Sequence, residues 1–292
     1  MGKGLLDPKV DFVFKNIFGS PNHPEILISF LNATLKAKKK IVNVDIKKTD
    51  IEKQYIEDKY SRLDVKATTS NDEIINIEIQ LKNENNMVKR SLYYLSKMYE
   101  EQLNEKEDYS KLVRTVCINI LNFKYLKTDN FHTGYRFKEI ESNEELTDIM
   151  EVHFIEIPKL QDSSDEKDML VAWTEFLKDP ESEKVRGLEL SIEEIRQAKD
   201  ELIRMSNDST QRELYDMRAN SLRDKMSELN AAERKGIEKG REEGREEGRK
   251  EGIEEGRKEE KIKIARNMKL SGIDTNTIAK ITNLSEDEID KL

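Results

Sequence analysis

A single cysteine, a single tryptophan, five prolines and three histidines are spread over 292 residues, and these shortages exclude several kinds of chemistry. Cys117 cannot form a disulfide or a cysteine-rich zinc cluster within one chain, which fits a reducing compartment. His23, His132 and His153 are scattered and share no ligand spacing. No glycine-rich phosphate loop, serine-centred nucleophile elbow or Cys-His pair is present, so any catalysis narrows to metal-assisted hydrolysis. No stretch approaches the roughly 20 apolar residues of a membrane span, and the N-terminus lacks a signal-type apolar core. The expectation is a cytoplasmic protein with no membrane partner.

Charged residues make up 38% of the chain and hydrophobic ones 36%, so a compact core cannot run through the whole length. Apolar residues concentrate before about Leu177 and charge dominates afterwards, which argues for a globular N-terminal part and an elongated helical C-terminal part. The net charge of −9 is awkward for nucleic-acid binding, which relies on phosphate neutralisation. Local clusters offset it in part. Lys36, Lys38, Lys39, Lys40, Lys47 and Lys48 are opposed only by Asp45, and Lys82, Lys89 and Arg90 form a second basic group.

The most informative stretch lies between Arg62 and Lys82. Two apolar-alternating runs flank a polar turn at Asn71 and Asp72, one carrying Asp64 and the other Glu78. On a strand, Glu78, Gln80 and Lys82 share one face while Ile77, Ile79 and Leu81 take the other. Acids are depleted in strands, and two on adjacent strands repel unless a cation lies between them. Paired carboxylates with a positive group alongside suit a hard divalent metal and a phosphate or activated water. Gln80 can orient water but supplies no charge; Lys82, about 7 Å further along by strand rise, is one candidate for it. Lys89, Arg90 and Lys97 on the next helix are the others.

The hydrophobic patterning predicts helices over 11–18, 24–35 and 87–103, with Pro24 suited to a first helical turn. Strands are predicted over 41–46, 62–68, 74–81 and 112–123, with weaker candidates at 135–140 and 152–157. Further helices are expected over 168–177, 192–205 and much of 211–229. The fold class implied is mixed α/β.

From Gly236 to Gly256 a glycine recurs every fourth residue among Glu, Arg and Lys. On a helix these glycines trace a slowly winding stripe. Two readings stay open: a solvated spacer, or a seam where a second helix packs closely. The end of the chain regains apolar residues around a Ser271-Gly272 turn, followed by a serine-capped acidic turn from Ser285. Short helices about a glycine turn suggest a helix-turn-helix. Its expected reading helix, 275–282, offers only Lys280 as a cation, which favours a packing or protein-interaction module.

The spacing of Asp64 with Glu78-Ile79-Gln80 resembles the PD-(D/E)XK nuclease superfamily. More narrowly, the chain resembles the Rpn recombination-promoting nucleases, a transposase-like branch of that superfamily. Four ordered motifs carry the likeness: Asp11-Phe12-Val13-Phe14-Lys15-Asn16-Ile17-Phe18-Gly19, Arg62-Leu63-Asp64-Val65, Ile77-Glu78-Ile79-Gln80, and Arg90-Ser91-Leu92-Tyr93-Tyr94-Leu95-Ser96-Lys97-Met98-Tyr99. Gln80 departs from the superfamily, which usually has Lys there, but Gln is common in this branch.

The resemblance implies a restriction-endonuclease-like mixed-sheet core with a long helical C-terminal extension, acting as a metal-dependent DNA endonuclease linked to DNA recombination. Asp64 and Glu78 would ligate Mg²⁺ or Mn²⁺, Asp11 would assist through water, and Gln80 with Lys82 would orient the nucleophile or the scissile phosphate. The domains expected are a nuclease-like domain at 1–160, a helical region at 161–229, the charged glycine segment at 230–260 and a tail module at 261–292. DNA is the expected partner, with homodimerisation through the C-terminal helix. The alternatives are a DNA-binding protein without cleavage activity and a regulatory or assembly protein acting through its C-terminal helices.

Overall fold

The computed structural model describes residues 4–36, 39–47, 65–165 and 167–292. They form two compact units that divide between Leu222 and Arg223. Asp64 lies outside the described residues, as do Arg62, Leu63, Lys38 and Lys48.

The first unit is built on a six-stranded mixed sheet. Its strands are β1 (Val44–Lys47), β2 (Val65–Thr69), β3 (Ile74–Gln80), β4 (Thr115–Leu121), β5 (His132–Lys138) and β6 (Glu145–Glu156), in the spatial order β1-β2-β3-β4-β6-β5. β3, β4 and β6 run parallel in the centre, and antiparallel partners close both sides. β4 is buried along its whole length, as a central strand covered on both faces must be.

One face is covered by α1 (Asp11–Phe18), α2 (Pro24–Leu35), α4 (Met169–Lys178), α5 (Glu183–Glu189) and α6 (Glu193–Asn207). Ile75, Ile77, Ile79, Val116, Ile118 and Ile120 join this apolar layer. Phe18 is its hub, with its ring 4.5 Å from Phe14, 5.4 Å from Phe30 and 5.3 Å from Trp173. Val13 rather than Phe12 completes the buried face of α1. Gly19 ends that helix where nothing larger fits: a Cβ there would stand 2.6 Å from the Lys15 carbonyl oxygen and 3.4 Å from Val65 Cγ2. The phenylalanine-rich motif is thereby held against the first residue of β2.

The core extends further along the chain than composition suggests. Ile195, Ala198, Leu202 and Met205 of α6 are fully buried in it. The short helix α5 has no counterpart among the expected helices, because seven residues hold too few turns to show a period.

The opposite face carries α3 (Met87–Glu100). Met87 and Leu95 pack there on Cys117, Leu121, Val152 and Phe154.

α7 (Ser209–Leu270) begins in the first unit and is helical throughout the glycine stripe. Beyond the neighbouring residues and the helix's own local backbone, no heavy atom of the described residues lies within 4 Å of a Cβ placed at any glycine from Gly236 to Gly256. In the second unit, Ala265 of α7 packs with Ile278 of α8 (Thr275–Thr282) and Ile289 of α9 (Glu286–Asp290). Ile264 and Ile281, which the pattern counts as apolar anchors, are exposed instead. Gly272 turns the chain at a φ of 79°, Asp274 caps α8 through Thr277, and Ser285 with Glu288 forms a capping box on α9. Among the described residues no helix is long and apolar enough to cross a membrane.

Candidate active site

Strand alternation sends the odd residues of β3 into the apolar layer and leaves Asn76, Glu78 and Gln80 facing α3. Glu78 pairs with Asn119 of β4, so this face carries a polar row between sheet and helix. Asn76, Glu78, Asn119 and Ser91 are all buried.

Two clamps hold α3 over that row. The Ser91 hydroxyl lies 2.8 Å from Asn119 Oδ1 and 2.7 Å from the Met87 carbonyl oxygen, sharing its one proton between them, and the Asn119 amide donates to the His153 carbonyl at 3.1 Å. At the other end Gln102 donates to Thr115 Oγ1 at 2.7 Å and accepts from the Val113 N–H at 2.8 Å. With the rotation of the helix set by Ser91, the preceding residue Arg90 meets Glu78. Their closest atoms are 3.2 Å apart. The Tyr94 ring lies 5.4 Å from the guanidinium carbon, within range for cation-π attraction.

Among the described residues, neither carboxylate oxygen of Glu78 receives a well-directed hydrogen bond, and neither does Asn76 Oδ1. Burial pushes the Glu78 carboxyl up to about 7 from 4.5, against the lowering pull of Arg90 and Asn76. Three buried oxygens on one strand face are therefore short of directed donors, with the Arg90 guanidinium the one charge beside Glu78 among the described residues. Such orphaned acceptors are uncommon in native interiors and suit a hard oxygen-seeking cation.

The other candidates fall in different places. Asp64 immediately precedes Val65, whose partner across β2 and β3 is Ile77, the residue before Glu78. Gln80 closes β3, and Lys82 lies in the bend beyond it, so strand alternation does not carry Lys82 onto the face of Glu78. Asp11 opens α1 and is paired with Arg218 of α7 at 3.0 Å. Among the described residues no group of three or more His, Cys, Asp or Glu side chains gathers in a metal-binding arrangement. Of the basic cluster, Lys47 is paired with Asp45, and Lys36 with Asp168 at 3.5 Å.

Sequence spacing misses Asn76, Asn119, Ser91 and Lys66 at this face. Lys66 pairs with Asn76 across the hairpin and reaches Glu101 at 3.9 Å. The alternation that selects Glu78 also selects Asn76, two residues earlier, whereas Asn119 and Ser91 join only through tertiary packing. Two histidines that are distant in sequence also meet. His132 and His153 stack with centroids 5.2 Å apart, and His153 bonds Glu151 at 2.7 Å. Burial, with His153 adding to it, lowers His132 to about 4.

Comparison with known families gives two matches. Residues 258–292 match the C-terminal HTH domain of the Rpn/YhgA-like nuclease family, which gives the tail the helix-turn-helix identity set aside on charge grounds. No curated protein and no solved structure was found to match the chain. Residues 8–232, well over half of the chain, match the family described as PD-(D/E)XK nuclease family transposase. With its mixed sheet, its buried acid on β3 and its matched tail, the chain belongs to the PD-(D/E)XK nuclease family of transposase type.

Proposed function

We propose that the protein is a divalent-metal-dependent DNA endonuclease, cytoplasmic and linked to DNA recombination. One observation carries the reading: Glu78 is buried beside Arg90 with neither oxygen taking a well-directed hydrogen bond among the described residues, on the polar face of a central strand of a nuclease-family sheet. Asp64 and Glu78 would hold Mg²⁺ or Mn²⁺, whose hard-oxygen preference matches the carboxylates and the nearby amide oxygen of Asn76. A bound ion would lower the pKa of its water and stabilise charge on the phosphoryl oxygens. Gln80, at the exit of the strand, orients the attacking water with its amide. Asp11 assists through water. The helix-turn-helix match supports DNA as the partner.

A second reading, DNA binding without cleavage, draws on Gln80 in place of the usual lysine. Incubating plasmid with the purified protein, with and without Mg²⁺, separates the two. Nicking that needs the metal supports the endonuclease, and retention of DNA without nicking supports the alternative. Neither nicking nor DNA binding would leave the assembly role of the C-terminal helices.

A further inference from the structure

We infer that Arg90 of α3 is the catalytic cation, donating to a non-bridging oxygen of the scissile phosphate in the role that Gln80 cannot fill. The inference rests on the nuclease reading above and assigns the missing positive charge to the helix rather than the strand.

Position argues for it first. β3 ends at Gln80, so the alternation that would aim Lys82 stops short, while Arg90 stands 3.2 Å from Glu78 Oε2. Exposure argues next. The Glu78 side chain is 1% accessible and that of Arg90 23%, so the guanidinium spans from the sealed carboxylate to solvent, where a phosphate can approach. The pair is also not built as a structural clip. Arg136 grips Glu145 with both oxygens 3.0 Å from one guanidinium nitrogen, whereas Arg90 meets Glu78 at 3.2 Å through one oxygen, outside well-directed hydrogen-bond geometry among the described residues. A buried ion pair without such geometry contributes little to stability.

Pre-organisation completes the case. Ser91 and Gln102 fix the helix, and Tyr94 flanks the guanidinium, so Arg90 is placed before substrate arrives. A guanidinium offers a planar fork that matches phosphate oxygens and keeps its protons at any working pH. In the reaction, the water oxygen bonds to phosphorus and one P–O bond to a sugar oxygen breaks. That oxygen takes up a proton and the water gives one to solvent. Arg90 gains and loses no proton and stabilises the negative charge that builds on the phosphoryl oxygen.

The test uses the full chain and plasmid DNA in Mg²⁺, with Arg90→Gln, Arg90→Lys and a control at the exposed Lys106 in the turn after α3, Lys106→Gln. Arg90→Gln is expected to lower kcat by about a hundredfold or more, with KM little changed. Arg90→Lys should recover a substantial part of that loss, and Lys106→Gln should behave as the unaltered protein. Calorimetric titration with Mg²⁺ adds a readout that does not depend on turnover. Arg90→Gln should bind the ion at least as tightly as the unaltered protein, because a like charge beside Glu78 has been removed.

Wild-type kcat in Arg90→Gln overturns the inference. Equal loss in both Arg90 variants together with loss of Mg²⁺ binding also overturns it, since Arg90 would then only support Glu78. If Arg90→Gln fails to fold, Arg90→Lys decides alone: reduced kcat with intact Mg²⁺ binding supports the role, and wild-type kcat overturns it. Absence of cleavage by the unaltered protein would instead remove the nuclease reading on which the inference stands.

Discussion

At the scale of single residues, a carboxyl group sealed between sheet and helix makes the fold sensitive to pH. The neutral form of Glu78 is favoured in the folded state, so its stabilising effect is fully present below 4.5 and is lost as pH rises through about 7. The shift corresponds to about 3 kcal/mol. Metal-free Glu78→Gln should therefore be more stable than the unaltered protein at pH 8, with the difference closing toward pH 4.5. Urea denaturation at both pH values checks this, and equal stability at pH 8 would contradict the burial account. His132 acts in the opposite sense. Its lowered pKa contributes stability that is present above 6.5 and is lost as pH falls through about 4. Glu78 and Gln80 are legible in the sequence because strand alternation is a local rule. Arg90 stands in the sequence only as one of several candidate cations and Asn119 not at all, because which residue of the helix meets Glu78 depends on which way the helix turns when it packs.

At the scale of elements, α3 decides the chemistry of the face it covers. Its sequence shows an amphipathic helix over nearly the observed range, yet the tertiary contacts of Ser91 with Asn119 and of Gln102 with Thr115 decide which polar residue meets Glu78. Ser91→Ala leaves Asn119 Oδ1 buried without this donor and should cost about 1 to 3 kcal/mol. It should also reduce turnover, since Arg90 loses its fixed bearing. Chemical denaturation and the plasmid assay read the two effects, and unchanged values in both would show that the clamp is dispensable. α7 poses a different question. Its interior glycines each cost about 0.8 to 1 kcal/mol of helix propensity, and exposed ion pairs such as Glu246 with Lys250 at 3.0 Å contribute little against that. Pairing of two copies along the stripe predicts that removing everything after Leu229 converts a dimer to a monomer. A spacer predicts the same oligomeric state before and after truncation. Light scattering on both proteins decides between them.

At the scale of the whole molecule, the order of helices and strands through β4 is legible because each element there carries a clear period or a β-branched run. The later strands blur where β6 begins among exposed polar residues at Glu145, outside any apolar pattern. The tail illustrates the limit of charge arguments: Glu286, Asp287 and Glu288 open α9, and they serve its dipole and capping box, which says nothing against the helix-turn-helix arrangement itself. What joins the scales is the claim that Glu78, with Asp64, holds a metal that cuts DNA. The most direct measurement is plasmid nicking in Mg²⁺ by the unaltered protein, Asp64→Ala and Glu78→Ala, each shown to be folded. The account predicts metal-dependent nicking by the unaltered protein alone. Nicking by either variant at the unaltered rate would contradict it.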